Sequence, residues 1–246
     1  MKALLKFLWI QLNMDLREKG TLMNYYVIPL LFYIIIGSVF TQPETKSTLA
    51  ATMIIFAVTM GAIVGIPGPL VKMRESGTLR AFSVNGISNG MVTFVHAISA
   101  FFHILIVSVI IFCTSHLIFK SDNPTYPVRF ICVLLLFLLT STAIGVLIGT
   151  FARNQSFVTT FSQLVFLPSI LLSGIMFNTS MLPKVLMWGG RIFPATHAMQ
   201  MFKGLAFHKQ TNYSSMIALF VLTVIGVAAV MLTYLKIWKI SSGELS

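Results

Sequence analysis

Residues 128–151 read VRFICVLLLFLLTSTAIGVLIGTF. After Arg129 no charged side chain follows, and the apolar residues run on without the polar face that a soluble amphipathic helix needs. About 20 such residues cross a hydrocarbon layer roughly 30 Å thick. With Val128–Phe151 as the fourth block, five others of similar character lie outward from it: Met23–Phe40, Leu49–Val71, Met91–Phe119, Ser156–Phe177 and Met216–Trp238. Together they predict an all-α integral membrane protein with six transmembrane helices in one domain, residues 1–246. The third block is long enough to tilt or to project from the bilayer. Gly65-Ile66-Pro67-Gly68-Pro69 is expected to break the last turn of the second, because each proline removes a backbone donor.

Composition agrees. Of 246 residues, 57% are hydrophobic and 9% charged, too little charge to clothe a soluble domain. The formal charge is +11, from 17 Lys+Arg against 6 Asp+Glu. The bases flank the apolar blocks, where they set topology and meet anionic lipid. No basic cluster is interleaved with aromatics, which argues against a nucleic-acid groove. The N-terminus does not read as a signal peptide. Gln11, Asn13, Asp15, Arg17, Glu18 and Lys19 stand where a small-residue cleavage site belongs. Leu4, Leu5, Phe7, Leu8, Trp9, Ile10 and Leu12 predict a helix lying in the headgroup region instead.

Charge bias sets an expected orientation. With the N-terminus cytoplasmic, the inner side carries ten bases: Lys2, Lys6, Arg17, Lys19, Lys72, Arg74, Arg80, Arg153, Lys236 and Lys239. The outer side carries Lys46, Lys120 and Arg129, with Lys184, Arg191, Lys203 and Lys209 in the long fifth loop. Both termini are therefore expected in the cytoplasm.

Absences narrow the chemistry. The spans contain no Asp or Glu, and their bases, Arg129 and Lys236, lie at span edges, whereas an ion-coupled carrier usually needs an ionisable group or a broken-helix ion site at mid-membrane. No nucleophile–base pair and no His-Glu-x-x-His run suggests catalysis, and no Gly-x-x-x-x-Gly-Lys-Ser/Thr loop would hold ATP on this chain. His96 and His103 share a helical face two turns apart, too far to share a metal. With His116 they read as packed or interfacial side chains, and no metal site is expected. Cys113 and Cys132 read as two small buried side chains, with a disulfide between the outer halves of consecutive spans as the other reading.

Function is expected in the two long connections, 72–90 inside and 178–215 outside. Arg74, Glu75, Gly77, Thr78, Leu79, Arg80 and Phe82 mix charge and apolar residues between two spans. A short helix with Leu79 and Phe82 on one side suits a partner's cleft, with Arg74, Glu75 and Arg80 pairing at its rim. The other reading is a solvated loop whose bases only fix topology. Thr159, Gln163, Phe166, Ile170 and Ser173 recur at helical spacing, and this partly polar stripe should face protein or a cavity rather than lipid. Tyr26 and Tyr33 share a face of span one. For Tyr25 and Tyr26 an interfacial belt and a path-lining role both stand. Gly61-x-x-x-Gly65 and Gly145-x-x-x-Gly149 permit close helix approach, within one subunit or across a dimer.

Two motifs carry a family resemblance. Glu75-Ser76-Gly77-Thr78-Leu79-Arg80 resembles the Glu-x-Gly-Thr-Leu pattern after the second span of ABC-2 type permeases. Pro168, Ser173-Gly174, Phe177, Leu182-Pro183, Pro194 and Thr196-His197 follow that family's order before the last span. Gly86, where many members have proline, and His96, near a frequent lysine, depart from the pattern. The resemblance implies a half-transporter that pairs with a second copy or a paralogue and binds two cytosolic ABC ATPase subunits, which would hold the ATP and Mg. It makes the 74–82 segment an ATPase-coupling helix and has spans one, two and five flank the path. It makes Ser173, Gly174, Pro183, Pro194 and Thr196 part of an outer re-entrant hairpin.

The expectation is thus a plasma-membrane exporter permease without its own catalytic site. An interior free of acids favours an amphipathic or lipid-like cargo such as a drug, antibiotic, peptide or lipid. The alternatives are a polysaccharide or teichoic-acid exporter, or a membrane scaffold or sensor that transports nothing.

Overall fold

A computed structural model describes residues 2–39, 47–175 and 182–241, and every regular element among them is helical. α1 (Lys2–Arg17) leads into α2 (Lys19–Val39), the first span, and α3 (Leu49–Glu75) is the second. α4 (Thr78–Val84) is a short connecting helix. α5 (Asn89–Phe119), α6 (Pro127–Phe151) and α7 (Gln155–Leu172) are spans three to five. α8 (Lys184–Gly190) and α9 (Pro194–Met201) precede α10 (Ser215–Ser241), whose Ser215–Trp238 part is the sixth span. All six spans are long and apolar enough to cross a membrane. The ends expected at Phe40 and Phe177 lie outside the described residues. Span five stops at Leu172, where Gly174 takes φ +84° just past the cap, a left-handed stop that glycine accepts freely.

Span two is the axis of the bundle. Of its most apolar stretch 94% is buried, against 22% for span six, and spans one, three, four and five all pack on it. Its sequence permits this because it has no polar face. Thr52 and Thr59 return their hydroxyls to the carbonyls of Thr48 and Ile55, at 2.9 and 2.7 Å, which satisfies a polar group inside apolar surroundings. A β-carbon on Gly145 would run into the carbonyl of Ala62, and one on Gly149 would lie 3.0 Å from Cα of Pro67. The Gly145–Gly149 pair therefore brings span four onto span two within one chain, as small-residue helix contacts do.

The prolines of span two do not end it. The helix widens into a π turn at Gly61–Gly65 and resumes with Pro67 in the first turn of its last segment, running on to Glu75. A proline at that position surrenders no hydrogen bond the helix needs. Tyr25 from span one packs its ring on Gly61 and Gly65 and is 1% exposed, so it is a core residue rather than a member of an interfacial belt.

The two cysteines correct another expectation. Cys113 and Cys132 are free and exposed on the outer surface of the bundle. In a membrane protein that surface faces hydrocarbon, so a small apolar side chain gains nothing by turning inward.

Candidate functional site

One end of the bundle carries α1, α4 and the α6–α7 turn, and here the 74–82 residues gather. Span two ends at Glu75, and Gly77 turns the chain with φ +73° into α4. Nothing lies within 4 Å of where its β-carbon would be. Conformation, rather than lack of space, is thus what calls for glycine here. Ser76 and Thr78 share a 2.8 Å hydroxyl contact across the turn. No residue of α4 is fully buried, and Val84 is 83% exposed. Leu79 and Phe82 are half-buried, Phe82 with its ring 5.7 Å from that of Phe7 on α1, while Arg80 is exposed.

Arg74 and Glu75, expected to pair at a partner's rim, have backbone partners within this chain. Arg74 donates to the carbonyls of Thr150, at 3.3 Å, and Ala152. Glu75 accepts the backbone N–H of Gln155 at 3.1 Å. Both therefore engage the three-residue turn between spans four and five. Close by, Lys72 pairs with Glu18 at 2.8 Å. Burial works against the charge of Glu18, but the hydrogen bonds from Lys72 and Thr21 outweigh it and hold the carboxyl below its ordinary range.

A cavity of about 380 Å³ opens beside this pair, between spans one, two and five. Its wall includes Thr21, Asn24, Lys72, Gln155, Thr159 and Gln163. The span-five stripe divides accordingly. Thr159 and Gln163 face the cavity, while Phe166, Ile170 and Ser173 are buried against protein, Phe166 with its ring 5.8 Å from Phe56 of span two. Tyr26 and Tyr33 lie on the other side of span one, against span three. The Tyr26 hydroxyl is 2.7 Å from Nδ1 of His103, and Tyr33 accepts from Thr114 at 3.1 Å.

At the opposite end the connection between spans five and six folds back into the bundle. Ala195 to Met201 of α9 are all buried, packed among spans two, four, five and six. Pro194 starts this helix, Thr196 donates to the Gly190 carbonyl at 2.6 Å, and Pro183 precedes α8. Ser173 and Gly174 make the turn that ends span five. His197 donates from Nε2 to the Arg191 carbonyl at 2.7 Å and accepts from the Tyr213 hydroxyl at 2.6 Å, the one tautomer that serves both partners. Burial lowers the affinity of this ring for a proton, the carbonyl bond opposes that, and the Arg191 charge adds to it. Burial likewise pushes the Tyr213 phenol up to about 12.

The sequence profile of the ABC-2 type transporter family matches residues 3–207. The chain belongs to the ABC-2 type transporter family. An ABC-2 membrane protein is a permease component of an ABC transporter, and the matched region holds α1, five spans, the 74–82 segment and α9. The last span lies beyond it. No curated protein matches the chain.

Sequence reasoning missed a buried polar cluster in this ABC-2 permease. Asp15, on the polar end of α1, is 3% exposed and accepts from Ser99 of span three at 2.5 Å and from Gln11 at 2.8 Å. Nε2 of His103 lies 4.0 Å from its carboxylate. His96, fully buried, bonds the Ile66 carbonyl at 3.3 Å. The spans carry no acid of their own at this depth, yet α1 supplies one. Among the described residues no group of three His, Cys, Asp or Glu gathers as a metal site. The cavity residues Thr21, Asn24 and Lys72 were missed too, since only span packing reveals that they share a wall with Thr159 and Gln163.

Proposed function

We propose that this ABC-2 permease is the membrane half of an exporter driven by separate cytosolic ABC ATPase subunits. The observation that carries the reading is the α4 segment. It is a short helix without a buried residue, set off by a left-handed glycine and joined through Arg74 and Glu75 to the facing ends of spans four and five, the second of which borders the cavity. Arg74, Glu75, Gly77, Thr78, Leu79, Arg80 and Phe82 form the ATPase-coupling segment, in which Thr78, Leu79, Arg80 and Phe82 meet the partner and Arg74, Glu75 and Gly77 join α4 to the spans, and the partner holds ATP and Mg. The single domain of residues 1–246 pairs with a second copy or a paralogue. Both termini are cytoplasmic and the complex sits in the plasma membrane. Thr159 and Gln163, with Asn24, line the start of the translocation path, and Tyr26, Tyr33, Phe166 and Ser173 support its walls. Ser173, Gly174, Pro183, Pro194 and Thr196 shape an outer re-entrant hairpin.

The cargo is amphipathic or lipid-like, such as a drug, antibiotic, peptide or lipid. The cavity mixes apolar Val64, Val158 and Pro69 with amides and hydroxyls, a pattern that fits a ligand with one polar and one apolar side. The density of those amides and hydroxyls favours a second reading, a polysaccharide or teichoic-acid chain.

Accumulation assays distinguish them. Cells lacking the permease should retain amphipathic antimicrobials, and complementation with Gln163→Leu should restore export with an altered cargo range. Normal antimicrobial export beside a loss of surface glycan would replace the first reading with the second. Normal export and normal glycan would point to a scaffold.

A further inference from the structure

Arg74 and Glu75 are consecutive residues in the last turn of span two, and they grip two different helix ends. The Arg74 guanidinium meets the carbonyls of Thr150 and Ala152, where span four terminates. The Glu75 carboxylate takes the N–H of Gln155, the first residue of span five. A helix leaves unpaired carbonyls at its C-terminus and unpaired N–H groups at its N-terminus, with the corresponding partial charges. Each side chain therefore has the sign that suits the end it holds. Asn154 caps the same span-five terminus from within, accepting the N–H of Phe157 at 2.8 Å. Only Ala152, Arg153 and Asn154 separate the two gripped helices.

On the other side of this pair, Ser76 and Gly77 lead directly into α4. On the span-five side, Thr159 and Gln163 stand one and two turns beyond Gln155, on the wall of the cavity. We propose that Arg74 and Glu75 form a clamp that transmits displacement of α4 to span five, so that the partner's nucleotide state reaches the cavity wall through these two side chains. Charge-assisted bonds at both ends of so short a turn make it move with span two as one body. The inference rests on the coupling role given above to α4. It assigns Arg74 and Glu75 to transmission within the permease and leaves docking to the exposed face of α4. They are positioning residues that act on the cavity through span five.

Ser162 provides the readout. It lines the cavity, is 2% exposed, and its hydroxyl has no hydrogen-bond partner among the described residues. Ser162→Cys, in a background with Cys113→Ser and Cys132→Ser, reports cavity opening as the rate of modification by a small thiol reagent. The full permease, co-purified with its ATPase, is measured with and without a non-hydrolysable ATP analogue. The rate should change with the analogue in the parent and lose that dependence in Glu75→Leu and Arg74→Met, with ATPase recovery undiminished. Glu75→Gln, which keeps an acceptor oxygen, should restore part of the response. Glu75 is exposed, so Glu75→Leu is the variant expected to fold if Arg74→Met does not. Nucleotide dependence retained in Glu75→Leu would overturn the clamp. So would loss of ATPase binding in that variant, which would place Glu75 on the docking surface. A parent that binds the ATPase but shows no nucleotide response overturns transmission alone, whereas a parent that recovers no ATPase overturns the exporter reading and transmission with it.

Discussion

Ser99 of span three donates a 2.5 Å hydrogen bond to Asp15 of α1, and this contact pins the first helix to the bundle. The carboxylate is buried, so its remaining oxygen needs a partner, and Gln11 supplies one at 2.8 Å. Tyr26 reaches the same region through His103. Spans one and three and α1 are thus joined by side chains that a lipid-facing helix would have no reason to carry.

Asp15→Leu should strand the Ser99 hydroxyl and the Gln11 amide in an apolar site. Leaving buried groups unpaired costs about 1–3 kcal/mol, and the detergent-solubilised protein should melt at a correspondingly lower temperature. Asp15→Asn, which keeps one acceptor oxygen for Gln11 and presents an amide N–H that the Ser99 hydroxyl can accept, should lose clearly less. Equal melting of wild type and Asp15→Leu would mean that the contact does not hold α1.

Gly77→Val should impair coupling without preventing insertion. The position holds φ +73°, and a residue with a β-carbon pays about 1–2 kcal/mol there. Asn tolerates this region better, so Gly77→Asn should be milder. The checks are a normal folded peak on size-exclusion chromatography and reduced ATP turnover of the complex in nanodiscs. Full turnover in Gly77→Val would separate the glycine turn from coupling.

The spans and the α1 helix were legible in the sequence because each rests on local chemistry, apolar length for the first and a run of apolar residues beside polar ones for the second. The partners of Arg74 and Glu75 were not. Their bonds join residues about 80 positions apart, and only the packing of spans four and five against span two brings Thr150 and Gln155 within reach. Asp15 was hidden for the same reason, since a polar residue near the end of an interfacial helix looks solvated until span three is laid beside it. The cysteines were misplaced by a rule for soluble proteins. Burial in apolar surroundings and burial in protein coincide in water, and they part company in lipid.

The cap between α9 and span six should weaken in mild acid. The folded structure holds His197 with a lowered proton affinity, so its neutral form contributes stability that is fully present above the ordinary histidine value of about 6.5. That contribution is lost as the pH falls from there through the lower folded value. Tyr213, pushed up to about 12, keeps its donating proton throughout. Hydrogen-exchange protection at residues 194–206, taken relative to the intrinsic rate at each pH, should fall over this window and should not do so in His197→Gln. Protection that is flat in wild type from pH 7 to about 5 would contradict the assignment.

Orientation follows from the charge bias and is open to labelling. In a cysteine-free background, Asn212→Cys should react with an impermeant thiol reagent added to intact cells, and Asn85→Cys should react only after permeabilisation. The reverse pattern would invert the proposed topology and place α4 where no cytosolic ATPase reaches it.

The most direct test of the central claim, that this ABC-2 permease works through a separate cytosolic ATPase held at α4, is purification of the full chain from its native membranes in gentle detergent, with mass spectrometry of what accompanies it. The account predicts a Walker-motif ATPase in near-equal amount, reduced when Leu79 and Phe82 are both replaced by Asp. A well-folded permease that repeatedly emerges with no such ATPase, or one whose ATPase recovery ignores the α4 substitutions, would contradict it.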